Sequence, residues 1–137
     1  MEVEMAWRWS RMVGAVAGAG LLGVGAAAWA QAESLPPGDE EAGAELYAAQ
    51  CKGCHTVSIA PSLRGIADRP IASEAEFHGY SDALKAKAAD AWTTANLDAF
   101  LKSPPTFAPG TRMVMSVSDA QARADIIAYI RSLPPRR

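Results

Sequence analysis

A charge excess of either sign is missing from this chain. Thirteen lysines and arginines face fifteen aspartates and glutamates, a formal net charge of −2 over 137 residues. A nucleic-acid-binding domain carries a basic surplus, so that class is excluded. Cysteine is nearly absent, and two residues cannot staple a disulfide-rich scaffold. Strand-like alternation, internal repeats and low-complexity tracts are also missing beyond residue 30. Half of the residues are hydrophobic, too many for a disordered chain. What is left is one small domain, expected to be all-α, with long loops for its size. Such loops need something to wrap around.

The first thirty residues read as a targeting segment. Met12 to Ala28 carry no charge, Arg8 and Arg11 precede them, and Ala28-Trp29-Ala30 has the small-x-small form of a cleavage site. That order is the one found in secretory signal peptides. The alternative is an uncleaved anchor, but seventeen helical residues reach only about 26 Å, short of the roughly 30 Å hydrocarbon core. Glycine and alanine also fill 11 of the 17 places. Trp9 and Ser10 separate Arg8 from Arg11, so there is no twin-arginine pair. The expected organisation is a signal peptide at 1–30, a flexible leader at 31–38 and one domain at 39–137. Removing 1–30 leaves 107 residues, still with a net charge of −2, and Trp92 as the sole tryptophan.

Within the domain, Asp39 suits an N-cap, with Glu40 and Glu41 in the first turn of a helix that ends at Cys51. Residues 56–80, punctuated by Pro61, Gly65, Pro70 and Gly79, read as loop. A short helix is expected over Ser81–Ala89, and another from Thr93 or Thr94 that stops at Ser103-Pro104-Pro105. Residues 105–117 read as irregular, with a turn at Pro109-Gly110. Ser118-Asp119-Ala120-Gln121 fits a capping box with Ser118 as N-cap. Ile126, Ile127, Tyr129, Ile130 and Leu133 then recur at helical spacing until Pro134.

One motif carries strong chemistry. Cys51-Lys52-Gly53-Cys54-His55 is C-x-x-C-H, the attachment signature of c-type haem. Two thiols at this spacing can each add to one vinyl group of a porphyrin, and the next residue then sits under the iron as proximal ligand. A disulfide would leave His55 without a role. A redox-active pair normally opens a helix, whereas this one follows a helix. A zinc site built from Cys51, Cys54, His55 and His78 is made awkward by the adjacency of Cys54 and His55. The second axial position is open to His78, Met113 or Met115, or is left free.

These features together make the chain look like a class I c-type cytochrome, of the mitochondrial cytochrome c and bacterial cytochrome c2 type. Gly43-Ala44-Glu45-Leu46-Tyr47 resembles the family's first-helix G-x-x-x-[FY], and Arg123 to Ile130 resembles its last-helix R-A-D-L-I-A-Y-L. The resemblance implies that these two helices cross, with Gly43 and Tyr47 against Ile126 and Tyr129. Pro109-Gly110-Thr111-Arg112-Met113 resembles P-G-T-K-M, which implies Met113 as distal ligand, with Met115 the alternative. It further implies that the Pro61 carbonyl accepts from the proximal histidine. Arg69, Tyr80 and Trp92 resemble residues that bind the haem propionates. Three departures stand out. The His55–Pro61 loop is short, Phe100 replaces a tyrosine that reaches the methionine sulfur, and Leu84 replaces an asparagine. The family's lysine ring is largely gone, with Lys52, Lys102 and Arg112 as survivors.

The function so implied is that of an exported, periplasmic monohaem carrier of single electrons. It would hold one covalent haem c with His55 and Met113 as axial ligands and catalyse no reaction of its own. Redox proteins (a dehydrogenase, oxidase or reductase) would be its partners, with no nucleic acid and no membrane span after cleavage. The alternative is a haem c electron-transfer subunit of an exported dehydrogenase. Peroxidase chemistry would need an open site and His78 as distal base. A haem-free zinc or disulfide module completes the alternatives.

Overall fold

The computed structural model describes residues 34–136; the expected signal segment, 1–30, lies outside them. Among the described residues six helices follow one another: α1 (Glu40–Gln50), α2 (Lys52–His55), α3 (Asp82–Ala86), α4 (Thr94–Lys102), α5 (Pro104–Phe107) and α6 (Ala120–Ser132). No strand occurs among the described residues, only an isolated antiparallel bridge between Pro70 and Ala91. The all-α expectation therefore holds. No described helix is long and apolar enough to cross a membrane.

The packing of α1 on α6 dominates the tertiary structure. A side chain at Gly43 would put its Cβ 1.9 Å from the Asp125 carbonyl oxygen, so only glycine lets the backbones meet there. Its nearest neighbours are Asp125 and Tyr129, while Ile126 turns wholly into the core. The Tyr47 and Tyr129 rings pack with centroids 5.1 Å apart. Asp39 caps α1 by accepting from Ala42 N at 2.9 Å, and its own N–H donates to Asp125 Oδ1 at 2.7 Å. One carboxylate on α6 thus fixes the entry of α1.

The described part of the expected flexible leader, 34–38, is laid against α6 instead. Leu35 packs on the core, and Pro37 O accepts from Gln121 Nε2 at 2.8 Å. Gln121 is occupied there and on Asp125 Oδ1, so it closes no capping box. The N-cap of α6 is Asp119, not Ser118, and it accepts from Ala122 N at 2.7 Å. A carboxylate at that place also complements the helix dipole, which a hydroxyl does not.

Two other boundaries differ from expectation. α3 stops at Ala86 because Lys87, Ala88 and Asp90 make tighter turns that deliver the Asp90 carbonyl to Ile71 N at 2.9 Å. Pro104 both stops α4 and starts α5, since a residue with no N–H and a fixed φ suits the first helical position. Cys51 separates α1 from α2, and Thr93 caps α4 through Asn96 N at 3.2 Å.

Ile71, Ile126 and Pro104 are fully enclosed, and Trp92, Leu97, Leu101, Ile127 and Ile130 surround them. Trp92 lies 5.9 Å from Phe107 in a stacked pair and 5.2 Å from Phe100. Arg123 of α6 and Asp98 of α4 form a mostly buried ion pair within this frame. A Gly43→Ala variant of the haem-loaded protein is expected to lose about 3 kcal/mol of stability, the upper end for overpacking. Guanidinium unfolding checks this, and an unchanged midpoint would mean the helices can separate freely.

Candidate functional site

The site begins where α1 ends. Cys51 is 8% exposed at the junction with α2, and Cys54 lies one turn on, exposed. His55 N donates to Cys51 O at 3.0 Å, so the whole C-x-x-C-H motif is a single helical turn. The two sulfurs form no disulfide. Burial, and then the neighbouring Cys54, push the Cys51 thiol up, so at neutral pH it is protonated and a weak nucleophile.

His55 is half-buried, and its Nδ1–H donates to the Pro61 carbonyl at 2.7 Å. Burial pulls its pKa below the ordinary value, while the bond to Pro61 works the other way. The ring is therefore neutral, with the proton on Nδ1 and the lone pair on Nε2. That is the tautomer a metal-binding imidazole needs, held by a backbone acceptor. A thioredoxin-like activation of the Cys51 thiol has no counterpart here, because the dominant effect on it is burial.

The residues expected around the acidic edge of a haem form one assembly. Trp92 N donates to Arg69 O at 2.9 Å, so the two main chains are paired. Arg69 Nη2 donates to Ser73 O at 3.1 Å, and its Nη1 lies 3.7 Å from Glu74 Oε2. The Tyr80 hydroxyl accepts from Glu74 N at 3.3 Å, and burial raises its pKa. Arg69 and Tyr80 thus both converge on the 73–74 backbone, and the tyrosine proton remains available to donate. Glu74, which sequence reasoning did not single out, is what joins them.

The two methionines differ in burial. Met113 packs, partly buried, against the core, whereas Met115 is 38% exposed. Leu63, Tyr80 and Phe100 are likewise partly buried and packed against the core. Leu84, expected at an asparagine's place, is in the core itself. His78 is exposed and lines a cleft of about 400 Å³ with Tyr80, Asp82, Pro109 and Arg112. It is distant from the Met113 segment in sequence but not in space. No group of three or more His, Cys, Asp or Glu side chains forms a metal cage among the described residues. A second cleft, of about 500 Å³, borders the proximal side between Tyr47, His55, Pro61, Arg64 and Tyr129.

The donor set fits haem c: two thiols and a neutral imidazole on one helical turn. The fold and this turn define a small all-α domain that carries covalent haem. A family model described as Cytochrome c matches residues 40–134, and the chain belongs to the cytochrome c family. A "Cytochrome c-type cyt cy" of Rhodobacter capsulatus is 37% identical over 102 residues, 71% of this chain and 50% of that protein. The chain thus spans half the length of that relative. Cytochrome c of Ulva intestinalis is 37% identical over 103 residues, 70% of this chain and 91% of its own. The solved structure of cytochrome cH from Methylobacterium extorquens is 36% identical, with a TM-score of 0.61, covering 69% of this chain and 99% of its own. Members bind haem c through two cysteines, and this chain presents Cys51 and Cys54 at that spacing.

Single Cys51→Ser and Cys54→Ser variants, exported with attachment machinery, are expected to retain haem on a denaturing gel through one thioether. The double variant is expected to release it. Retention by the double variant would mean that another residue carries the covalent link.

Proposed function

We propose that this chain is an exported, periplasmic carrier of single electrons, its haem iron held axially by His55 Nε2 and Met113 Sδ. The observation that carries the reading is the 2.7 Å bond from His55 Nδ1 to Pro61 O, on the same helical turn as Cys51 and Cys54. Residues 1–30 would direct export and be removed, and the domain would then start within the packed 34–39 stretch.

The cofactor, when bound, supplies a reversible one-electron couple. The chain's own residues set the conditions for it. Pro61 holds the His55 ring in one tautomer and orientation. Phe100, Leu63 and Met113, partly buried against the core, would shield one side of the cofactor from water. Arg69, Tyr80 and Trp92 would face the propionates, with Glu74 holding the first two in place. A rigid, apolar cage changes little between two charge states, and that favours fast transfer in both directions.

Its partners would be redox proteins that meet an apolar rim. Val57, Ile59, Val114 and Met115 are the large hydrophobics exposed among the described residues, and they lie just after the two proposed ligands in sequence. Lys85 is engaged with Asp82, and Lys87 sits over the Phe107 ring. The same exposed side chains favour, as a second reading, a haem subunit of an exported dehydrogenase. Elution of the native protein alone or with a dehydrogenase separates the two.

Optical spectra test the ligation. The oxidised protein is expected to show the weak far-red band of methionine sulfur on ferric iron. Met113→Ala should lose it with haem retained, and Met115→Ala should keep it. Loss in Met115→Ala alone would transfer the role to Met115. Electron exchange with a partner is expected to change by less than about threefold between about 0.05 and about 0.5 M salt. A steep fall would reveal a charged docking face instead.

A further inference from the structure

α6 carries a charged residue on its buried stripe. Arg123 is 4% exposed and lies one and two helical turns before Ile127 and Ile130. Its guanidinium reaches three acceptors from two directions. Nε donates to Asp98 Oδ1 of α4, and Nη1 donates to Val117 O at 2.9 Å and to Ser118 O at 2.8 Å. Val117 N in turn donates to Leu101 O of α4 at 2.8 Å. The 117–118 corner is thereby tied to both helices.

Met113 lies upstream of this corner. The preceding turn is closed by Thr111 N donating to Ala108 O at 3.1 Å, with Gly110 at φ +77°. Between the two anchors, residues 112–116 make one hydrogen bond among the described residues, a long one of 3.4 Å from Met113 N to Thr111 Oγ1. Val114 stands 89% exposed in the middle of the span. A segment with so few bonds opens as a unit about its ends.

We propose that Arg123, braced by Asp98, is a positioning residue that clamps the downstream end of the Met113 segment and sets how often it lifts from the cofactor site. This rests on Met113 as distal ligand. The upstream anchor is one turn bond, exposed at Pro109 and Gly110. The downstream anchor is a buried, charge-assisted fork, so the stiffness of the span resides there. Lysine's three donors radiate from one nitrogen, so it does not reproduce the planar fork that spans Asp98 and the two carbonyls. Asp98 supplies the countercharge without which a buried guanidinium is not tolerated.

Two kinds of variant separate clamping from simple stabilisation. Arg123→Lys keeps the charge and loses the fork. Arg123→Met combined with Asp98→Leu exchanges the ion pair for apolar packing, which often leaves stability nearly unchanged, but holds neither carbonyl. Ile130→Val is a core control that loosens α6 without touching the corner. On the haem-loaded proteins, three quantities are read: hydrogen exchange at the Val117 amide, the rate of imidazole binding to the ferric form, and the guanidinium midpoint. Both Arg123 variants are expected to speed exchange and imidazole binding by about tenfold or more, the loss of one or two charge-assisted hydrogen bonds. Ile130→Val should change neither beyond its effect on the midpoint. If exchange and binding track the midpoint in every variant, Arg123 is structural only and the clamp is overturned. Faster exchange at Val117 with unchanged imidazole binding overturns its control over access to the site. Wild type binding imidazole as fast as Met113→Ala would instead sink Met113 as ligand, and Val117 exchange would still decide whether the corner is clamped.

Discussion

Everything in this domain depends on how closely α1 approaches α6. The contact is made backbone to backbone, at a place where a single methyl group would sit 1.9 Å from a carbonyl oxygen. α1 leads without a spacer into the turn that carries Cys51, Cys54 and His55. The crossing therefore fixes where the attachment turn begins, at buried Cys51. Asp125 binds the N–H that opens α1, while its own carbonyl lies under Gly43. One residue of α6 thus sets both the angle and the depth of the approach.

The rest of the chain is organised by what it surrounds. The described segments 56–80 and 108–119 contain no helix or strand, yet they are not slack. The first is tied to Trp92 and Asp90 by three main-chain bonds and is braced internally where Arg69 and Tyr80 meet Glu74. The second is tied through Val117 and Ser118 to α4 and α6. Irregular backbone of this kind persists where it is packed against other groups and closes round a bound one. Partly buried Leu63, Tyr80, Phe100 and Met113 are what such wrapping leaves behind.

Much of this was legible in the residues. Two thiols and a histidine at fixed spacing carry their chemistry in any context, because covalent geometry dictates the pattern. Gly43 and Tyr47, and the isoleucines of α6, identified the crossing through their likeness to a known pair of helices. What escaped was decided by competition between neighbours. Ser118 has the right chemistry for an N-cap, but Asp119 beside it has a charge, and Gln121 is drawn to Pro37 and Asp125 instead. Pro104 reads as a stop, yet the same fixed φ starts α5. Residues 34–38 have a loop composition, yet Gly38 lies so close to α6 that a Cβ would be 2.2 Å from the Ala124 carbonyl oxygen. Arg123 did leave a signal, a charge at i, i+4 and i+7 register with Ile127 and Ile130. Such a position calls for a buried countercharge, and Asp98 supplies it.

The α1–α6 crossing also imposes an order of assembly. The bond from Asp39 to Asp125 joins residues 86 positions apart, so the chain ends must meet before the fold is closed. Ribosomal synthesis delivers Cys51 and Cys54 long before it delivers α6. During that interval the two thiols belong to an open coil, and an enzyme acting on them meets a linear peptide. Closure of so distant a contact is also intrinsically slow, because loop entropy is lost before any packing is gained. The topology thus leaves an interval between the appearance of the two thiols and the closure of the fold, and the late helix ends it.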